Sequence, residues 1–280
     1  MGNTYIYRLT TCGTDKYIGV GIIGNFGILF NLIFKYKCNV YMDMYTNGHC
    51  MIYDMNYEKD FFIKNPFEYY VEPLFNVNNI TQEVFIHEGF YHNELMYGEF
   101  DLQYKESYDF LKKVFFDNYK FKDDIMNEVN DFEIKYFKGD IVLGVQVRMT
   151  DFMLHCNNYD IQYFIEKIRN VFNLHKITKL FIATDNNQVI TIFKNLFPNI
   201  ELLYLKDIER VDEINSTVPH FERLNTSNNT YKKRKYHNYL CGKEAIVDML
   251  LLSRCDYLIK SKSSLSDMAL IFNEKIKQTY

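Results

Sequence analysis

Arg148, Thr150 and Asp151 bring an abrupt return of polarity after an apolar run, Ile141-Val142-Leu143-Gly144-Val145-Gln146-Val147. A β-branched run of that kind reads as a strand buried on both faces of a parallel sheet. In open α/β sheets, ligands bind just past the carboxyl ends of the strands. An arginine placed there meets an anion well, because its planar fork pairs with phosphate in two directions. A second group with such chemistry is Ser263-Ser264, after the short run Tyr257-Leu258-Ile259 and at the start of a helical pattern reaching Asn273. Hydroxyls and backbone N–H groups at a helix start form an anion site, although plain N-capping is the commoner use of serine there. If the strands ending at Val147 and Ile259 are neighbours, Arg148 and Ser264 grip one pyrophosphate from two sides. Asp248 shares a helix face with Ala245, Met249 and Leu252. A carboxylate among apolar neighbours needs a partner, and the adjacent N–H donors of a guanine edge would serve. Asp185 closes the run Leu180-Phe181-Ile182-Ala183-Thr184 and is either a ligand contact or, before Asn186 and Asn187, part of a helix start.

These segments resemble the fucosyltransferase superfamily, which includes the α1,2-, α1,6- and protein O-fucosyltransferases and the nodulation-factor enzymes. Val145-Gln146-Val147-Arg148-Met149-Thr150-Asp151 is similar to the family's V-H-V-R-R-T-D hallmark, with Gln146 in place of the histidine and Met149 in place of the second arginine. Phe181 to Asn186 resembles its second block, Asp248 to Ser253 its D-x-x-x-L-S helix, and Ser263-Ser264-Leu265-Ser266 its S-S-x-S turn. Gly24-Asn25 resembles the G-N pair of an early loop that precedes a helix. The resemblance implies an α/β fold of GT-B type, with two Rossmann-like doubly wound domains facing a cleft: an acceptor-side domain at 1–138 and a nucleotide-sugar domain at 139–280. It implies a glycosyltransferase that moves fucose from GDP-fucose to a glycan or glycoconjugate hydroxyl with inversion. Donor binding falls to Gly24, Asn25, Gln146, Arg148, Asp185, Asp248, Ser263 and Ser264. Arg148, Asp151 and His155 are the catalytic candidates, with Glu88 a further candidate base. Because Met149 replaces an arginine, GDP-mannose, GDP-rhamnose or UDP-xylose is the alternative donor. A non-catalytic nucleotide or sugar binder is the alternative of another class.

The elements needed to position these groups are legible. After Lys138-Gly139, a good helix end and joint, the pattern alternates strand, helix, strand, helix, strand, then a long polar stretch, helix, strand, helix. That alternation is the mark of a doubly wound parallel sheet. Asp160 is the expected N-cap of a helix through Ile161, Phe164, Ile165, Ile168 and Phe172. Ile200 to Leu205 reads as a strand. In the first half, Tyr5–Leu9 and Tyr17–Val20 read as short strands, followed by a glycine loop, 19–27, a helix from Ile28 and a strand at Val40–Asp43. Gly19, Gly21 and Gly24 also satisfy G-x-G-x-x-G, which makes a nicotinamide-binding oxidoreductase a competing reading. Helical faces follow at 104–116 and 121–132. The segment 48–100 is aromatic and irregular. Tyr69, Tyr70, Tyr91 and Tyr97 there suit either a sugar platform or a core. The loop 207–239 exceeds ordinary connections and carries the basic run Lys232-Lys233-Arg234-Lys235.

The totals limit the classes. The chain has 280 residues, 48% of them apolar, with 24 Tyr, 24 Phe and no Trp. A formal net charge of −4 disfavours a general nucleic-acid binder. The six cysteines lack C-x-x-C spacing, His87 and His92 lack the H-E-x-x-H spacing, and no D-x-D tripeptide occurs, so neither a structural zinc site nor a metal-dependent transferase is expected. No cofactor besides the donor substrate is expected. No signal peptide, and no apolar run of the ~18–20 residues that span a bilayer, is visible. The expectation is a cytoplasmic protein of bacterial or viral setting.

Overall fold

The computed structural model describes residues 4–9, 22–36, 39–43, 54–75, 77, 82–86, 105–149, 160–212, 234–261, 263–273 and 275–280. The chain divides into two compact units, 1–128 with 235–247, and 129–234 with 248–280.

In the first unit, β1 (Thr4–Leu9) lies between β2 (Asn39–Asp43) and β4 (Gln82–Ile86), all parallel. Helix α1 (Ile22–Tyr36) joins β1 to β2. A short antiparallel pair, β3 (Val71–Pro73) with β5 (Tyr119–Phe121), and helices α2 (Met55–Phe61), α3 (Lys105–Asn118) and α4 (Asp123–Tyr136) follow. Helix α4 continues into the second unit. The expected glycine loop is corrected in its described part: Gly24, Asn25 and Gly27 lie within α1. Glycine costs a helix about 1 kcal/mol relative to alanine. Burial of Ile22, Ile23, Phe26, Leu29 and Phe30 along one face outweighs that cost. Phe26 meets Phe67, Phe115 and Phe121 edge-on, with ring centroids 5.4, 5.7 and 5.8 Å apart, a favoured aromatic geometry.

One carboxylate in this unit caps two helices. Asp54 Oδ1 accepts from the backbone of Asn56 and Tyr57 at the start of α2, both at 3.1 Å. Its Oδ2 accepts from the backbone of Asn238 at 3.1 Å and Tyr239 at 3.5 Å, in the first turn of α7 (His237–Ser253). Tyr69 and Tyr70 are fully buried and pack around Tyr239. They are core residues, not a sugar platform. Tyr91, Tyr97, Glu88 and the segment 17–20 lie outside the described residues.

The second unit is built on five parallel strands in the order β10-β9-β6-β7-β8. They are β6 (Val142–Val147), β7 (Lys179–Thr184), β8 (Glu201–Leu203), β9 (Tyr257–Ile259) and β10 (Gln278–Thr279). Helices α5 (Ile161–Leu174), α6 (Asn187–Leu196), the end of α7, and α8 (Ser264–Ile271) connect them. Every residue of β6 is buried, as its sequence predicts. Asp160 caps α5 by accepting from Tyr163 N–H at 2.8 Å. Gly139 has φ 84°, the left-handed conformation that suits glycine after a helix. Strand 201–203 is shorter than expected, and α7 begins five residues before the expected Gly242.

The strand order places the site. The chain steps from β6 outward to β7 and β8, then returns to the other side of β6 as β9. The order therefore reverses between β6 and β9, and in open α/β sheets ligands bind past the carboxyl ends of the strands at such a reversal.

Candidate functional site

Strands β6 and β9 pair directly, Leu143 with Tyr257, Gly144 with Leu258 and Val145 with Ile259. Arg148 thus follows one strand and Ser261 to Ser264 follow its immediate neighbour, on chains about 5 Å apart. Alternation along β6 sorts its side chains. Leu143, Val145 and Val147 enter the apolar core with Phe164, Ile168 and Ile182. Gly144 looks the other way, onto Leu252 and Cys255 at the end of α7. Gln146 and Arg148 share its parity and continue that face upward.

Gln146 is 5% exposed. Its Oε1 accepts the hydroxyl of Ser261 and, at 3.0 Å, the hydroxyl of Ser266 on α8. Ser261 and Ser266 are themselves buried. Asp248 stands four residues before Leu252 on α7, about 6 Å along the helix. Gln146 is two residues beyond Gly144, about 6.6 Å along the strand. By these ideal rises, Asp248 and Gln146 stand at comparable heights above the Gly144–Leu252 contact. Asp248 is 6% exposed, so this carboxylate is largely removed from water.

Ser263 is the N-cap of α8, its hydroxyl oxygen accepting from Leu265 N–H at 3.3 Å. Ser264 opens the helix, half-buried. The capping role that the sequence allows for these serines is therefore realised at Ser263, and the first N–H groups of α8 still point out of the helix start. Lys260 pairs with Asp267 of the same helix at 2.6 Å.

At the ends of β6 and β7, Asp185 Oδ1 accepts from Met149 N–H at 3.1 Å. Its Oδ2 lies 3.9 Å from Arg148 Nε. The Arg148 side chain is 41% exposed, so its charge reaches solvent past the end of β6. Asn186 caps α6 by accepting from Gln188 N–H at 2.7 Å, so the helix start falls one residue after Asp185. Met149 is 2% exposed in the apolar core. The residue in the second arginine position is therefore used for packing.

Gln146, Arg148 and Asp185 thus stand at the ends of β6 and β7, Ser263 and Ser264 at the α8 start after the neighbouring β9, and Asp248 on α7 one turn before the residue that packs on Gly144. Gly24 and Asn25 lie in α1 of the other unit, within a helix and buried. Asp151 and His155 lie outside the described residues. Ser261 and Ser266 were not singled out by sequence as site residues. Ser266 belongs to the S-S-x-S turn, but nothing in the order of residues points either serine at Gln146.

A cation, a buried carboxylate, an amide and a helix start lie near the switch point of a parallel sheet, where α/β proteins as a class take their ligands. Comparison with solved structures narrows the class. The chain is 16% identical to fucosyltransferase NodZ from Bradyrhizobium, with a TM-score of 0.55 over 96% of this chain and 92% of that one. It is likewise 16% identical to NodZ α-1,6-fucosyltransferase soaked with GDP-fucose, with a TM-score of 0.54 over 98% and 93%. POFUT1 in complex with GDP-fucose, 8% identical, superposes less well, with a TM-score of 0.44. No family model and no curated protein matches the sequence. The chain has a fucosyltransferase-like fold. No helix of the described residues is long and apolar enough to cross a membrane.

Proposed function

We propose that this protein is a glycosyltransferase that binds a nucleotide diphosphate sugar, GDP-fucose, and transfers the sugar to a glycan or glycoconjugate hydroxyl. The observation that carries the reading is the adjacency of β6 and β9 at the strand reversal, with Arg148 after one and the α8 start after the other. Asp248 accepts from the N–H edge of guanine, and Gln146, in place of the family's histidine, pairs with the same base. Arg148 and the N–H groups of Ser264 and its neighbours hold the diphosphate.

As the glycosidic bond breaks, negative charge grows on the departing diphosphate. A guanidinium and a helix start fixed beside it stabilise that charge more in the transition state than in the ground state. The reading includes inversion at the anomeric carbon, no metal requirement, and a two-domain GT-B arrangement with the donor taken by 139–280 and the acceptor by 1–138. Asp151 and His155, which follow Arg148 in the chain, are the proposed bases for the acceptor hydroxyl.

A second reading keeps the fold and changes the donor. Met149 is buried in the core, so the diphosphate meets one arginine where the family motif has two. GDP-mannose, GDP-rhamnose or UDP-xylose would then be the substrate. A thermal-shift panel of these nucleotide sugars with GDP-fucose separates the readings. A ligand at 100 times its Kd stabilises the native state by about 2.7 kcal/mol, so the true donor raises Tm by several degrees. A panel in which no nucleotide sugar raises Tm overturns the proposal, and one in which a uridine donor alone does so overturns the guanine assignment.

A further inference from the structure

We infer that Ser261 and Ser266 are positioning residues that lock the Gln146 amide with its N–H2 toward the ligand, so that the pocket selects a purine with a carbonyl edge over one with an amino edge. The inference rests on the nucleotide reading of the site and adds two residues and a rule of selection to it.

A glutamine amide can be turned over without changing its shape, so its orientation is decided by its hydrogen bonds. Gln146 Oε1 receives both serine hydroxyls. Ser261 is 3% exposed and Ser266 is 0% exposed. Among the described residues neither hydroxyl proton has another acceptor. Turning the amide over would leave two buried O–H donors without an acceptor among the described residues, the arrangement that folded proteins avoid. The serines come from the two sides of the same turn, Ser261 before α8 and Ser266 within it. The lock therefore closes only when β9, the turn and α8 are all in place.

The locked face is the functional one. Among the described residues nothing pairs with Gln146 Nε2, and it is not among the polar atoms sealed from solvent without a partner. A side chain 95% buried thus presents a pure donor near the end of β6, at a height comparable with Asp248. A donor beside an acceptor matches guanine, which offers the O6 acceptor next to ring N–H donors. It opposes adenine, whose N6 amine would face another N–H2.

The test uses the full chain and calorimetric Kd values for GDP, IDP and ADP. The parent is expected to bind GDP and IDP more tightly than ADP, because both oxo-purines carry the O6 acceptor. In the double variant Ser261→Ala/Ser266→Ala the amide is freed to turn. The ADP-to-GDP ratio of Kd is then expected to fall by on the order of tenfold, with diphosphate affinity retained. Gln146→Glu supplies an independent arm if that variant does not fold. It keeps both serine bonds and puts an oxygen outward, so GDP weakens more than ADP does. A double variant that folds and keeps the parent ratio overturns the lock while leaving the nucleotide site standing. An unchanged ratio in Gln146→Glu does the same. A parent that binds none of the three nucleotides, or all three equally, overturns the nucleotide reading itself and the lock with it.

Discussion

Replacing Arg148 by alanine tests the centre of the proposed site. In the structure the guanidinium is held by its place after β6, with Asp185 Oδ2 at 3.9 Å, and its side chain is 41% exposed. A hydrogen bond to a charged group contributes about 1.5–3 kcal/mol. Exposure near half screens the charge, which favours the low end. A loss of about 1.5–2 kcal/mol corresponds to a Kd for GDP raised roughly 12- to 30-fold. Guanosine lacks the diphosphate and is expected to bind parent and variant within a factor of about three. Titration calorimetry of both ligands at one low salt concentration reads the difference. Arg148→Lys retains the charge but not the fork, so it should fall between parent and alanine variant. The reasoning fails if Arg148→Ala binds GDP as tightly as the parent does. It fails equally if guanosine is weakened as much as GDP, because the arginine would then support the pocket as a whole.

Three further outcomes follow from the packing. Glu133 of α4 is bonded by Arg254 and Lys275. Burial raises its carboxyl pKa, but the hydrogen bonds from Lys275 and Arg254 outweigh that and hold it below the ordinary carboxylate value. The unfolded chain therefore binds the proton more readily, and the stabilisation is complete above the unfolded pKa and lost as pH falls through the folded one. Glu133→Gln should cost on the order of 3 kcal/mol at neutral pH, a gap that closes under acid denaturation; a constant gap from pH 7 to 2 would contradict it. Asp54→Ala removes the cap of α2 and of α7 together, at about 1 kcal/mol each, so urea unfolding should show a loss of on the order of 2 kcal/mol. Gly242→Ala places a methyl 2.2 Å from Tyr70 Oη and 2.6 Å from Cζ. The ring is fully buried and stacked on Tyr239, so overpacking should outweigh the roughly 1 kcal/mol gain in helix propensity. A higher Tm for this variant would show that the ring yields.

How much of this was legible in the sequence differs from element to element. The run 141–147 announced a strand buried on both faces because no polar side chain interrupts it before Gln146. Asp160 and Ser263 announced helix starts, and the start read at Asp185 falls one residue later, at Asn186, since a short polar side chain before an apolar periodic stretch satisfies N–H groups that the helix cannot. Such signals are local, and each survives folding. Gly24-Asn25-Gly27 misled for the same reason. Its local composition reads as a loop, whereas the helix there is maintained by phenylalanines packed against α3, β5 and the turn at 66–69, and those partners are remote in the chain.

The order of strands is not local at all. The sequence alternates strand and helix but does not say that β9 returns to the free side of β6. That return puts Arg148 and Ser264, about 115 residues apart in the chain, after the ends of two paired strands. It also brings Ser261 and Ser266 onto Gln146, a hydrogen-bond pair across 115 and 120 residues that no spacing rule reveals. The chain by itself determined which segments become strands and helices, because propensity, alternation and capping act over a few residues. Only the tertiary structure decided which side chains meet, because burial and hydrogen bonding are satisfied between segments that the sequence keeps far apart.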